Sequence, residues 1–290
     1  MLSVRKKFND ILCRNSCSAA APIFDPLSAR IADMQGWEVS KLSGSFGKFA
    51  NLAVPDGVNL SNMSDLVDVC QRITRVSDSC LIVDADDGGG NALHIARTVR
   101  ELEAAGVSAI EIEDNAVPRS FGEAARRHSL MLSEEEQVGK LRAAVAARRD
   151  QDTVIVARTS ALSELPHDEA LRRLKAYSET GAQALMFPEL PNERQDLVDI
   201  ASATQLPIFV LGLSPEVIQD EALLARSRVR IRFLPHLPYR TAVKAIDDAY
   251  RSLQSLPSVD HLLEQSASPE QLRRLDRTDE MKSWQERFVR

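Results

Sequence analysis

Short β-branched runs alternate along this chain with longer stretches in which apolar residues recur every three or four positions. The runs predict strands at Ala21–Phe24, Val39–Ser43, Leu81–Asp84, Ala109–Glu113, Thr153–Ala157, Ala184–Phe187, Ile208–Leu211 and Val229–Leu234. The amphipathic stretches predict helices at Pro26–Gln35, Met63–Val76, Asn91–Ala105, Ser133–Arg148, Pro166–Thr180, Arg194–Thr204 and Pro215–Ala225. Ala105-Gly106 and Thr180-Gly181 act as helix stops just before the next strand. This alternation, with no internal repeat, predicts a parallel α/β fold, and eight strands favour a (β/α)8 TIM barrel over an open doubly wound sheet. Met1–Asn9 reads as an amphipathic first helix and Arg240–Leu253 as the eighth barrel helix. Residues 1–255 are therefore expected to form the barrel domain, and residues 256–290 a C-terminal helical arm. The arm reads either as a surface tail or as a segment packed on a neighbouring subunit.

At 290 residues the chain can bury a full core as one domain. A formal net charge of -6 gives no global attraction to nucleic acid or anionic membrane. No apolar run approaches the ~20 residues needed to span a bilayer. Cys13, Cys17, Cys70 and Cys80 show neither CxxC spacing nor an accompanying histidine cluster, which predicts reduced thiols in a cytoplasmic protein.

Chemistry concentrates where the predicted strands end. Leu81-Ile82-Val83 runs into Asp84-Ala85-Asp86-Asp87 and then a glycine turn, Gly88-Gly89-Gly90. Unpaired carboxylates are too costly to bury as core, whereas a hard divalent cation prefers oxygen ligands. The next strand also ends in acids, Glu113-Asp114. Together they point to a site for Mg2+ or Mn2+. The other strand ends supply Asp25, the Ser43-Gly44-Ser45 loop, Arg158-Thr159 and His236. Barrel enzymes carry their chemistry at this face. Arg158 suits bidentate binding of a carboxylate, or serves as an ion partner for the acids.

The ordered set Phe24-Asp25-Pro26-Leu27-Ser28-Ala29-Arg30, Ser43-Gly44-Ser45, Asp84-Ala85-Asp86, Gly90-Asn91, Ile112-Glu113-Asp114, Ala157-Arg158-Thr159 and His236 resembles the isocitrate lyase/phosphoenolpyruvate mutase superfamily. Within it, the pattern is most similar to the oxaloacetate decarboxylase branch. The resemblance implies a Mg2+-dependent TIM-barrel enzyme acting on a small 2-oxo acid, as a homodimer or homotetramer that exchanges its C-terminal helix. It implies that Asp86 is the direct metal ligand, with Asp84 and Glu113 reaching the metal through water. Ser43, Gly44 and Ser45 would bind the carboxylate and oxo end of the substrate, Arg158 and His236 its departing carboxylate. Arg119, Ser120 and Phe121 would belong to a gating loop. The implied reaction is decarboxylation of oxaloacetate or a related 2-oxo dicarboxylate through a metal-stabilised enolate, giving pyruvate and CO2. The Lys-Lys-Cys-Gly-His run of the superfamily's thiol-dependent lyases is absent.

Several positions depart from that pattern. Gly89 replaces an aromatic, Asp87 stands where histidine or threonine is common and would add charge beside the metal, and Leu211-Gly212-Leu213 lacks a tyrosine. These departures motivate two alternatives: a non-catalytic 2-oxo acid binder, and a lyase for carbon–phosphorus or other carbon–carbon bonds. Counting back two residues from the rim on even strands gives Lys41, Glu111 and Arg232. Alternate strands share an interior layer, so these three are expected to meet as a buried charged cluster.

Overall fold

The computed structural model describes residues 3–54, 60–115, 131–255 and 260–289 of the chain. Eight parallel strands close on themselves in sequence order: β1 (Ser18–Ile23), β2 (Val39–Leu42), β3 (Cys80–Asp84), β4 (Ala109–Glu113), β5 (Val154–Arg158), β6 (Ala184–Phe187), β7 (Ile208–Leu211) and β8 (Val229–Phe233). This is the expected TIM barrel, its seam sealed by β1 against β8 at Ser18–Ile231 and Ala20–Phe233. Every residue of β2, β3, β4 and β6 is buried, because the strands face the barrel interior on one side and helices on the other. Outward side chains such as Leu81, Val83, Ile110 and Ile155 meet the helices, while inward ones such as Ile82, Ala109, Val156, Phe209 and Ile231 fill the barrel.

The early helices are α1 (Val4–Leu12), α2 (Pro26–Met34), α3 (Gly44–Leu52), α4 (Met63–Thr74) and α5 (Ala92–Ala104). Ser3 caps α1 by accepting from the Lys6 amide, and the helix turns Phe8, Ile11 and Leu12 inward as a plug across one end of the barrel. Phe8 stands edge-on to Phe209, with ring centroids 6.2 Å apart. Arg5 ties the plug down, donating to Val107 O at 2.9 Å and pairing with Asp150 at 2.8 Å.

Three expectations change. The stretch expected as one helix from Pro215 to Ala225 is two, Pro215–Ile218 and Glu221–Arg226, because Asp220 between them caps the second by accepting from the Leu223 amide. The eighth barrel helix runs longer, Leu237–Ser255, and none of its residues is buried. Arg232 does not join an interior cluster. At the β7–β8 junction Ile208 pairs with Val229 but Phe209 with Ile231, so Arg230 is an extra residue. That bulge flips the alternation beyond it: Ile231 and Phe233 point in, and Arg232 points out toward Cys17.

Candidate active site at the barrel mouth

Four adjacent strands, β2 to β5, carry charges into the upper barrel. Lys41 and Glu111 both point inward, as expected, and form an ion pair almost free of solvent. The third partner is Arg158 rather than Arg232: its Nη1 lies 3.4 Å from Glu111 Oε2. Burial drives the Glu111 carboxyl upward in pKa, and Lys41 and Arg158 oppose that shift. Lys41 also sits 4.9 Å from the centre of the Phe233 ring on β8, two strands away past β1.

One layer higher are the strand-end acids. Arg158 clamps two of them, with Nη1 2.5 Å from Asp84 Oδ2 and Nη2 2.6 Å from Glu113 Oε1. Burial alone would lower the arginine's pKa, but Asp84, Glu113 and Glu111 together raise it. Burial likewise pushes Asp84 up, yet Arg158, then Lys41, hold it well below the usual carboxylate range. Asn115 fixes the other oxygen of Glu113 from 2.6 Å. The guanidinium therefore serves as an ion partner for the acids.

Asp86 differs from its neighbours. Its backbone is left-handed, with φ 50°, in the turn that ends β3. That turn needs glycine next: a Cβ on Gly88, at φ 78°, would lie 2.5 Å from Ile95 Cγ1. Asp86 pairs with Lys48 of α3 at 2.7 Å through Oδ2. Among the described residues nothing donates to its Oδ1. Burial, then the charge of Asp84, pushes the Asp86 carboxyl up to about 6.

The Ser43-Gly44-Ser45 loop is the start of α3, with its first amides turned toward these acids. Gly44 N lies 3.4 Å from Asp84 Oδ2, and the two serine hydroxyls are 3.0 Å apart. A Cβ on Gly44 would fall 2.8 Å from Asp86 Oδ1, so no other residue fits here without displacing the acid. A helix N-terminus favours an anion. His236 follows β8 on the rim, half-buried. Burial, then Lys41, lowers its pKa, with Asp84 acting the other way.

The structure thus brings Ser43, Gly44, Ser45, Asp84, Asp86, Glu113, Arg158 and His236 to one mouth. Arg119, Ser120 and Phe121 lie outside the described residues. Two other acids have different duties. Asp25 is an N-cap, in a capping box with Ser28 at the start of α2. Asp87 is buried beside the strand-end acids, accepts from the Gly89 amide at 3.0 Å, and acts on Lys140 behind the rim. Asp114 supports the wall from outside, accepting from Thr159 Oγ1 at 2.7 Å and Tyr177 OH at 2.8 Å. That network braces the ends of β4 and β5, where Glu113 and Arg158 sit. Burial raises the Cys17 and Cys80 thiols to about 11, so neither is a thiolate at neutral pH.

Lys48 and Asn115 were not among the candidates from sequence. Lys48 had a signal: a cation in the first half of a helix opposes the helix dipole and implies an acidic partner.

Fold and mouth together define an α/β-barrel enzyme with acids, one arginine and a helix N-terminus around its opening. The chain belongs to the family described as phosphoenolpyruvate phosphomutase, whose family model matches residues 8–254. It is 36% identical over 285 residues to an oxaloacetate decarboxylase of Paraburkholderia xenovorans (strain LB400), covering 98% of this chain and 93% of that one. It is 41% identical over 250 residues to an oxaloacetate decarboxylase of Rhodopseudomonas palustris (strain BisB18), covering 86% and 85%. These relatives are carboxy-lyases. Among solved structures, phosphonopyruvate hydrolase in complex with oxalate and Mg2+ superposes with a TM-score of 0.85 at 27% identity over the whole of both chains.

Proposed function

We propose that this chain is a Mg2+-dependent carboxy-lyase that removes the distal carboxylate of oxaloacetate, or of a related 2-oxo dicarboxylate, as CO2. The observation that carries the reading is the convergence of Asp84, Asp86, Glu113 and Arg158 on the N-terminus of α3, in a chain this similar to oxaloacetate decarboxylases.

The donor set fits a hard divalent cation. All the acids offer oxygen, and Asp86 Oδ1 is open among the described residues. No three acidic, histidine or cysteine side chains among those residues converge tightly enough to hold an ion unaided. Asp86 would hold the cation, with Asp84 and Glu113 beside it. A cation held there would supply Lewis-acid polarisation of the 2-oxo group and stabilisation of the negative charge that decarboxylation leaves. The chain's own groups do the rest. The α3 amides and the Ser43 and Ser45 hydroxyls bind the carboxylate and oxo oxygens of the substrate. Arg158, anchored by three carboxylates, fixes Asp84 and Glu113 and offers positive charge to the departing carboxylate. His236, its pKa lowered, is neutral at pH 7 and orients that carboxylate by an N–H hydrogen bond.

Pyruvate release from oxaloacetate, with Mg2+ or with chelator, tests this after the uncatalysed metal-promoted background is subtracted. Turnover should need metal and should vanish in Asp86→Ala; normal turnover in that variant sinks the reading. Phosphate release from phosphonopyruvate in the same assay would support the carbon–phosphorus alternative instead.

The protein is further proposed to be a cytoplasmic homodimer or homotetramer. Val243, Ile246, Tyr250 and Leu253 are exposed at helical spacing along Leu237–Ser255, and Trp284 and Phe288 are exposed in the arm. Such a stripe suits a neighbouring subunit, and light scattering on the intact chain would return a monomer mass if this is wrong. Its four cysteines are free thiols, which suits a reducing compartment. No described helix is long and apolar enough to cross a membrane.

A further inference from the structure

The acids of the mouth are matched to basic groups of the same chain. Arg158 holds Asp84 and Glu113, Lys41 holds Glu111, and Lys48 holds Asp86. The first two cations share Glu111 within one interior cluster. Lys48 is different, because its partner is the acid with an oxygen still open toward the mouth. We propose that Lys48 is a built-in competitor for the divalent cation: its ammonium holds Oδ2 of Asp86 and weakens the hold of that carboxylate on a metal ion arriving at the open Oδ1. This rests on the reading that Asp86 is the metal ligand.

Three observations support it. The ion pair is short, at 2.7 Å, and joins a lysine side chain 9% exposed to a carboxylate 32% exposed, so water screens the charge of Lys48 only in part from an ion on the same carboxylate. Arg158 is restrained by three carboxylates of the barrel interior, whereas the acid that Lys48 holds stands in the turn after β3 with its Oδ1 open among the described residues. Finally, the ammonium has somewhere to go. Lys48 lines a cavity of about 380 Å³ between α3, α4 and the turn after β3, shared with Asn51 and with Asn62 and Asp65, whose side chains also form the capping box of α4. Metal entry on this account sets a +2 ion against a tethered +1 on the same carboxylate. Affinity for the metal is thereby set below what the same carboxylates would show alone.

The experiment is Mn2+ binding to the intact chain, by calorimetry or by the electron paramagnetic resonance of free Mn2+. Wild type is compared with Lys48→Met, which keeps the packing and removes the charge, Lys48→Arg, which keeps the charge, and Asp86→Asn. Lys48→Met should bind Mn2+ at least tenfold more tightly, Lys48→Arg should stay near wild type, and Asp86→Asn should lose the site. Thermal unfolding gives a second readout: Mn2+ should raise the melting temperature of Lys48→Met by more than that of wild type. Lys48→Gln replaces the methionine variant if circular dichroism shows that Met prevents folding. Equal or weaker Mn2+ binding in the neutral variants, with Asp86→Asn still losing the site, overturns the competition alone. Undiminished binding in Asp86→Asn, or none in wild type and neutral variants alike, overturns the metal reading and the competition with it.

Discussion

The two ends of the barrel interior are built from the same strands by opposite means. At the α1 end, Phe8, Ile11, Cys80, Ile82, Ala109, Val154, Ala184, Phe209 and Ile231 pack with no charged partner among them. At the mouth, the next inward positions of β2 to β5 are Lys41, Asp84, Glu111, Glu113 and Arg158. The apolar end contributes stability through burial and close packing, each group nearly independent of the next. The charged end is a mutual arrangement in which every member is tolerable only while its partner is present. A single substitution should therefore be felt differently at the two ends.

The largest effect is expected in the charged layer. Glu111→Ala strands Lys41 without its main counter-ion and should lower unfolding free energy by about 4 kcal/mol in urea titrations. The double variant Lys41→Met with Glu111→Leu should recover most of that loss, because an apolar pair of similar volume avoids desolvation altogether. If the double variant is as unstable as the single one, the pair is not the unit described. At the other end, Phe8→Ala should cost about 3 kcal/mol in the same titration, with no second-site charge change able to restore it.

The smallest effect concerns Asp86, and here sign matters. Its carboxyl is raised to about 6 in the fold, above its unfolded value. The folded state then holds the proton more tightly, so stability falls as pH rises from about 4 to 6 and stays lower above. In metal-free protein, Asp86→Asn should thus raise the melting temperature at pH 8 and change it little at pH 4. Asp84 runs the other way: its depressed pKa stabilises the fold above about pH 4, and that contribution is lost on acidification.

The alternation of apolar runs made the fold legible, and β4, β6 and β7 begin and end where the pattern says. The strand-end acids were legible for the same reason, since strand direction and parity place them at one face. What failed were features that parity cannot see. A one-residue bulge at Arg230 exchanged the faces of β8 and removed Arg232 from the interior. Asp25 and Asp87 looked like site acids because a cap, a turn ligand and a metal ligand share one residue type. Lys48 was missed because its partner is remote in sequence and only the approach of α3 to the turn after β3 brings them together.

The plug at the closed end bears on how the molecule is made. During synthesis α1 emerges before any strand, yet Phe8 and Ile11 rest on side chains from β2 through β8. The seat of α1 is therefore complete only with β8 closed against β1. The vessel must be whole before its stopper can fit.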